Sequence, residues 1–368
     1  MKTARVISGI LIIFGNYLIR YQKYTYKHTL EYTKNNSHNN ILGIESSCDD
    51  TSAAVLVNGK ICSNVIASQK VHEEFGGVVP EWASRKHQQN ILPTVKSALS
   101  KANLNLQDID AIACTQGPGL MGSLLVGHTF VKGLSMSMEV PFVNINHLDA
   151  HVLAHFIDEE IPPLPFLCLL VSGGHTQIVL VKENYQMQIL GKTMDDAAGE
   201  AFDKAGKMLG LSYPSGPQID QLAKKGNPNA FKFNTPNVGG LDYSFSGMKT
   251  SILYFLQKEV KKNPNFIDEN IYDLCSSIQR TIVSYLLFNL NRAIKETGVN
   301  SIGIAGGVAA NSELRDSLKK LARNTGSEAY IPKFEYCTDN AAMIAFAGKI
   351  KLEQKQFGKL TDVCYTRK

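Results

Sequence analysis

Two histidines four residues apart stand in the stretch Asn146-His147-Leu148-Asp149-Ala150-His151. If that stretch is helical, residues i and i+4 share a face, so both imidazoles can reach one metal ion. A zinc peptidase of the His-Glu-x-x-His type places a Glu directly after the first His as its general base. That position is Leu148 here, so His147 and His151 offer a metal grip without the peptidase base. Asp149 is out of phase with the shared face. A distant acid, Asp339 in Cys337-Thr338-Asp339-Asn340, is the better third ligand. Two imidazoles and one carboxylate with open positions suit iron(II), and zinc accepts the same set. Spacing alone leaves the bland alternatives open. His-x-x-x-His pairs arise by chance on helices, and an Asp just before an apolar helix such as Ala341–Gly348 commonly serves as its cap.

A second group could bind a polar ligand. Asp203 lies in Asp195-Asp196-Ala197-Ala198-Gly199-Glu200-Ala201-Phe202-Asp203-Lys204, and Asp220 follows Tyr213-Pro214-Ser215-Gly216-Pro217. A carboxylate accepts two hydrogen bonds from a diol such as a ribose, and Gly216 lets a ligand approach the backbone. Spacing by itself favours the plainer reading, a charged helix face and a Pro/Gly turn. In Gly306-Gly307-Val308-Ala309-Ala310-Asn311 a strand runs into paired glycines and then a helix, whose first N–H groups can receive an anion. A simple strand-to-helix turn is an equal reading. Gln116-Gly117-Pro118-Gly119-Leu120-Met121-Gly122-Ser123 lacks the Gly-Lys-Ser/Thr ending of a phosphate-binding loop and reads as a helix start. Ser246-Gly247-Met248-Lys249 matches the Ser-x-x-Lys of penicillin-binding enzymes, but Ser246 reads better as the cap of a helix over Met248–Lys258.

The elements that would position these residues are of α/β type. Ile41–Ile44 is a short buried-type strand, then a polar turn, then a strand at Ala53–Val57 closed by Asn58-Gly59. The scheme recurs downstream, with apolar Phe166–Val171, the turn Ser172-Gly173-Gly174-His175-Thr176 and apolar Ile178–Val181. Two such units suggest a duplicated fold whose two lobes each offer a loop to the chemistry. The expected boundaries are an extension over 1–40, a first lobe over 41–145 and a second over 146–368, with the C-terminal helix returning to the first lobe.

The chain of 368 residues is long enough for a sizeable core. Its seven cysteines are scattered and form no Cys-x-x-Cys pair, which argues for a reducing compartment and against a cysteine zinc site. The formal charge of +5 comes wholly from residues 1–40, which hold six Lys/Arg and one acid. Beyond them the chain is neutral, so nucleic-acid binding must rest on local patches. Lys319, Lys320 and Arg323 form one candidate patch, and Lys349, Lys351, Lys355 and Lys359 another. A solvated helix face accounts for either cluster taken singly. Within 1–40, the apolar run Val6–Phe14 is too short for a membrane span, which needs roughly 18 apolar residues. A membrane anchor or export signal, an organellar presequence and a start placed too far upstream are the readings of this segment, the last agreeing best with the reduced cysteines.

Together these motifs resemble one family, the tRNA N6-adenosine threonylcarbamoyltransferases (TsaD in bacteria). The resemblance rests on Gly43-Ile44-Glu45-Ser46-Ser47-Cys48-Asp49-Asp50-Thr51, Gly76-Gly77-Val78-Val79-Pro80-Glu81, Gly117-Pro118-Gly119-Leu120 and the pair His147 and His151. It continues through Val171-Ser172-Gly173-Gly174-His175-Thr176, Asp196–Lys204, Gly306–Asn311 and Thr338-Asp339-Asn340-Ala341-Ala342-Met343. It implies a two-lobed, duplicated α/β fold of the actin-like ATPase (sugar kinase and heat-shock) type. It implies one divalent metal ion per subunit on His147, His151 and Asp339, iron(II) foremost and zinc the alternative. Leu170, Val171, Ser172, Gly173, Gly174, Asp203, Gly216, Asp220 and Asn311 match positions that bind the substrate, threonylcarbamoyl-AMP, and no catalytic residue separate from the metal site is implied. The implied partners are tRNA and helper subunits of the TsaB and TsaE type, with a homodimer as an alternative. The implied location is the bacterial cytoplasm, or mitochondria given the extension, with no membrane contact for residues 41–368. The competing functions are a metallo-endopeptidase and a non-catalytic actin-fold partner protein. Trp82 and His128 depart from the family pattern and bear only on packing or partner contacts.

Overall fold

In a computed structural model of the chain, residues 40–68, 77–157, 160–236 and 238–367 are described. The expectations for residues 1–40 lie outside these, except for Asn40, which opens the first strand. The chain divides into two compact units. The first includes Pro80–His147 and the C-terminal segment from Asn340; the second includes Leu148–Asp339.

The first unit is built on a sheet of β1 (Asn40–Glu45), β2 (Thr51–Val57), β3 (Lys60–Ala67), β4 (Ala111–Gly117) and β5 (Phe142–Asn146), in spatial order β3-β2-β1-β4-β5. The first three strands are antiparallel, while β4 runs parallel to β1 and β5 parallel to β4. The central β1 is an apolar run because both its faces are covered. Helices α1 (Pro80–Lys101) and α2 (Met121–Met138) belong to this unit, as does the C-terminal helix Ala341–Glu353. The C-terminal helix is buried almost all round, and its alanines let it press on the sheet. A Cβ at Gly43 would sit 2.8 Å from the Ala345 nitrogen. His128, on α2, is buried and pairs its Nε2 with Asn144 Oδ1 at 2.8 Å, which gives that departure a packing role in this unit.

The second unit repeats the plan. Its strands β6 (Phe166–Val171), β7 (Thr176–Val181), β8 (Met187–Lys192), β9 (Ser301–Ala305) and β10 (Glu328–Tyr330) are ordered β10-β9-β6-β7-β8. Counted from each unit's first strand this is the same order, with antiparallel hairpins on one side and parallel strands on the other. The duplication expected from two strand–turn–strand segments therefore extends to all five strands of each sheet.

The helices α3 (His147–Leu153), α4 (Ala198–Met208), α5 (Ser215–Ala223), α6 (Ser246–Lys262), α7 (Ile271–Thr297) and α8 (Ser312–Thr325) follow in chain order. The long α7 forms the spine of the second core, burying Leu274, Ile278, Ile282, Leu286 and Leu290 on one stripe. It ends at Gly298, whose φ of 70° and N–H bond to Ile294 O form a left-handed cap. Ser246 is the first residue of α6 rather than its cap. Its hydroxyl donates to Asp195 Oδ2 at 2.7 Å, beside Ser244 Oγ and the Phe245 amide on the same carboxylate. Those bonds hold the Asp195 carboxyl below its ordinary range against the opposing effect of burial. The Ser-x-x-Lys match is thus a structural turn.

Candidate metal centre and ligand cavity

The border between the units falls just after His147, inside helix α3. Along this helix His147 and His151 are one turn apart, as their spacing predicts. His151 is fully buried, and its Nε2 lies 3.1 Å from Asp339 Oδ1. Candidate ligand atoms of His147, His151 and Asp339 all lie within 4.8 Å of one another. Ligands on one metal at bond lengths of about 2.1 Å must lie roughly 3–3.5 Å apart, so the His151–Asp339 separation fits a shared ion. The donor set, two imidazoles and one carboxylate, also fits a divalent metal of borderline softness.

Two further features orient this set. Asn340, not Asp339, caps the C-terminal helix, accepting the Met343 amide on Oδ1 at 3.0 Å. Asp339 therefore stands one residue ahead of the cap with its carboxylate turned to His151. In the first unit, His147 Nδ1 lies 3.0 Å from Glu45 Oε2 and 3.2 Å from Ser47 Oγ. Glu45 is wholly buried at the end of β1 and also accepts from Thr115 Oγ1 at 2.6 Å and from the Ser47 amide. A carboxylate on Nδ1 fixes the proton there and leaves the Nε2 lone pair for a metal, the usual outer support of a ligating histidine. The Ser47 carbonyl accepts the Leu120 amide at 2.7 Å, so the Gly117–Leu120 segment acts as a brace for this turn.

The second unit contains a cavity of about 320 Å³. Its wall includes Gly173, Asp203, Gly216, Asp220 and Asn311 from the sequence-based set, with Phe202, Tyr213 and Val308 as apolar surface. The N-terminal ends of α4, α5 and α8 supply Gly199, Gly216 and Asn311 to this wall, their own amides being held by Ser172 O, the Asp203 carboxylate and Val308 O. Asp203 accepts the Ser215 amide at 2.8 Å and is also bonded by the Gly216 backbone. Burial outweighs these bonds and raises its carboxyl above the ordinary value. Asp220 receives both the Ser312 amide (3.2 Å) and the Ser312 hydroxyl (2.7 Å) on Oδ1. Asn311 caps α8 through Oδ1 and donates Nδ2–H to Gln279 Oε1 at 2.7 Å. One N–H and one lone pair of its amide are left over by the side chain's inventory.

The segment Leu170–Gly174 divides in two. Leu170 and Val171 are fully buried strand residues that do not border the cavity, while Gly173 does. Ser172 closes a tight turn on itself: its amide donates to His175 O at 2.8 Å and its hydroxyl accepts the His175 amide at 3.1 Å. The backbone donors left in this turn are those of Gly173 and Gly174. A Cβ at Gly199 would lie 2.6 Å from the Ser172 carbonyl, so only glycine lets α4 start this close to the turn.

Sequence reasoning assigned no role to Glu45, Ser47 or Gln279. Glu45 carried one signal, an acid closing an apolar strand. Gln279 carried another, an amide on the apolar stripe of a long helix, where it is 4% exposed. Of the basic patches, Lys319, Lys320 and Arg323 are exposed on α8, whereas Lys351 donates to Asn144 O at 2.7 Å. Among the described residues all seven cysteines are free thiols, and no helix is long and apolar enough to cross a membrane.

Comparison with known proteins agrees with this architecture. The chain is 56% identical over 331 residues to a tRNA N6-adenosine threonylcarbamoyltransferase of Christiangramia forsetii, covering 89% of this chain and 97% of that protein. The Porphyromonas gingivalis protein of the same description is 54% identical over 332 residues, with the same coverage of 89% and 97%. Among solved structures, HypF from T. kodakarensis superposes with a TM-score of 0.62 at 13% identity, covering 86% of this chain and 49% of that one. Component A of (R)-2-hydroxyglutaryl-CoA dehydratase from Acidaminococcus fermentans gives 0.51 at 16% identity, covering 86% and 99%. These two likenesses carry the fold, the actin-like ATPase type, and nothing further. The TsaD family model matches residues 60–346, and with relatives above half identity along nearly their whole length, the chain belongs to the tRNA N6-adenosine threonylcarbamoyltransferase family.

Proposed function

We propose that the chain transfers the threonylcarbamoyl group from threonylcarbamoyl-AMP to N6 of the adenosine beside the anticodon, in tRNAs reading codons that begin with adenine. The observation that carries this reading is the cluster of His147, His151 and Asp339, in a chain of this family whose helix-start cavity has two acidic walls. A divalent ion, iron(II) or zinc, held by those three residues would act as a Lewis acid on the acyl carbonyl, which a weak nucleophile such as an exocyclic adenine amine needs. Asp203 and Asp220 accept the ribose hydroxyls of the adenylate, and Tyr213, Phe202 and Val308 enclose it. Gly173 and Gly174 offer N–H groups to developing negative charge. No covalent enzyme intermediate is required when the adenine amine attacks the acyl carbonyl directly and AMP leaves.

The peptidase alternative needs a carboxylate base beside the metal. Position 148 is Leu, and Glu45 is buried and committed to Thr115, Ser47 and His147. A non-catalytic partner protein would have no use for the three-residue cluster. Helper subunits of the TsaB and TsaE type fit the neutral body, whose tRNA contacts must be shared. A groove on the first unit lined by Gly122, Leu125, Val126, Phe130 and Gly133 of α2, with Ser84 and Gln88 of α1, is the surface we assign to such a subunit or to a second copy.

The test is incubation with tRNA, threonylcarbamoyl-AMP and helper subunits, followed by mass spectrometry of the nucleosides. Modified adenosine should form with the wild-type chain and fall at least a hundredfold with His147→Ala/His151→Ala. Equal product from both proteins would sink the metal assignment, and casein cleavage lost in the double variant would favour the peptidase.

A further inference from the structure

Arg315, in the first turn of α8, makes contacts that neither ligand site explains alone. Its Nε donates to Ala309 O at 2.7 Å, the carbonyl of the loop whose Gly307, Val308 and Ala310 wall the cavity. Its Nη2 donates to Pro332 O at 3.0 Å and to Cys337 Sγ at 3.0 Å. The guanidinium carbon lies 4.0 Å from the centre of the Phe334 ring. Cys337 is fully buried, with its Sγ 3.4 Å from Lys333 O, and stands two residues before Asp339. One rigid plane therefore grips the cavity loop on one side and, on the other, the turn that presents the carboxylate of the metal cluster.

We propose that Arg315 is a positioning residue that couples occupancy of the cavity to the placement of Asp339. This inference rests on reading the cavity as the adenylate site and the triad as the metal site. A planar fork can serve three acceptors in two segments at once, whereas a lysine ammonium is a point donor on a flexible stem. A ligand pressing on Val308 and Ala310 moves the Ala309 carbonyl, and the fork carries that displacement to Cys337 and so to Asp339. The consequence is linkage: metal at the triad tightens nucleotide in the cavity, and nucleotide tightens metal by the same factor.

The experiment measures that factor with zinc and AMP on the full chain. AMP affinity is read by calorimetry with and without saturating zinc, and zinc affinity by competition with a chromophoric chelator. In the wild-type chain zinc should tighten AMP on the order of tenfold, within the usual range of such couplings. Arg315→Lys should bind both probes and melt like wild type, but with a coupling factor within about twofold of unity. A wild-type coupling factor in Arg315→Lys, or no coupling in a wild-type chain that binds both probes, overturns the proposal. Cys337→Val, which removes the sulfur acceptor, should also lose the coupling, and Cys337→Ser should retain it. If Arg315→Lys fails to fold, the Cys337 pair decides by the same criterion. A wild-type chain that binds AMP but no zinc overturns the metal assignment, and this proposal with it.

Discussion

Asp339 and Asn340 are adjacent polar residues at the start of one helix, yet their side chains do different things. Asn340 accepts the Met343 amide, while Asp339 sits 3.1 Å from His151. Asp339→Asn should cost little stability and weaken zinc binding ten- to a hundredfold or more, as loss of a metal-site group does. Asn340→Ala should lower stability by about 1 kcal/mol, the usual value of an N-cap, and leave zinc affinity unchanged. Chelator competition and urea denaturation on the two variants check this pair, and a reversal of the two phenotypes would refute the division of labour. A third residue, His155, predicts a pH effect. It is buried beside Phe166, its Nε2 lies 3.0 Å from Ile304 O, and burial pushes its pKa down from 6.5 to about 4. Between those values the unfolded chain binds a proton that the folded chain refuses. The neutral His155 thus contributes stability that is complete above pH 6.5 and lost as pH falls toward 4, to about 3 kcal/mol. Urea titrations of wild type and His155→Gln across that window should differ in slope, the variant being flatter; equal slopes would count against a buried neutral imidazole.

At the scale of elements, the cavity depends on how strands hand over to helices. Gly306 ends β9 with φ 85° and ψ 171°, a conformation open essentially only to glycine, and a Cβ there would lie 2.5 Å from the Val171 carbonyl. Gly306→Ala should destabilise the protein by about 2–3 kcal/mol and weaken AMP binding, because the displaced loop carries Gly307, Val308 and Ala310. Retention of full AMP affinity in a destabilised variant would separate the loop from the site. This element also shows what could be read in advance. Paired glycines between an apolar run and an amphipathic helix announce a strand-to-helix turn, and the histidine spacing announces a shared helix face. That Asp339 turns to His151 while Asn340 takes the cap was not legible from periodicity, because the two roles differ only by one residue of register at a helix start. The supports of the site were hidden further, since Glu45 reaches His147 and Gln279 reaches Asn311 through tertiary contacts of 102 and 32 residues' separation. Leu170 and Val171 matched the motif but are fully buried, and of these neighbours Gly173 borders the cavity.

For the whole molecule, the two units repeat one sheet order but are woven differently into the chain. The first unit is closed by the C-terminal helix, so its fold needs both ends of the described sequence, whereas most of the second runs without interruption over Leu148–Asp339. Every residue named in the cavity wall lies in that continuous stretch, together with two of the three metal-cluster residues; only His147 is left outside it. The distribution yields a test that a single-site substitution cannot. A fragment over 148–339 should melt cooperatively and bind AMP within about threefold of the full chain, since its own core includes β6, β9 and α7. The same fragment should bind zinc at least tenfold more weakly, having lost an imidazole ligand. Calorimetry with AMP and chelator competition with zinc on the fragment decide the matter. Loss of AMP binding in a folded fragment would mean that the cavity is incomplete without the first unit. Undiminished zinc affinity would mean that His147 is not a ligand.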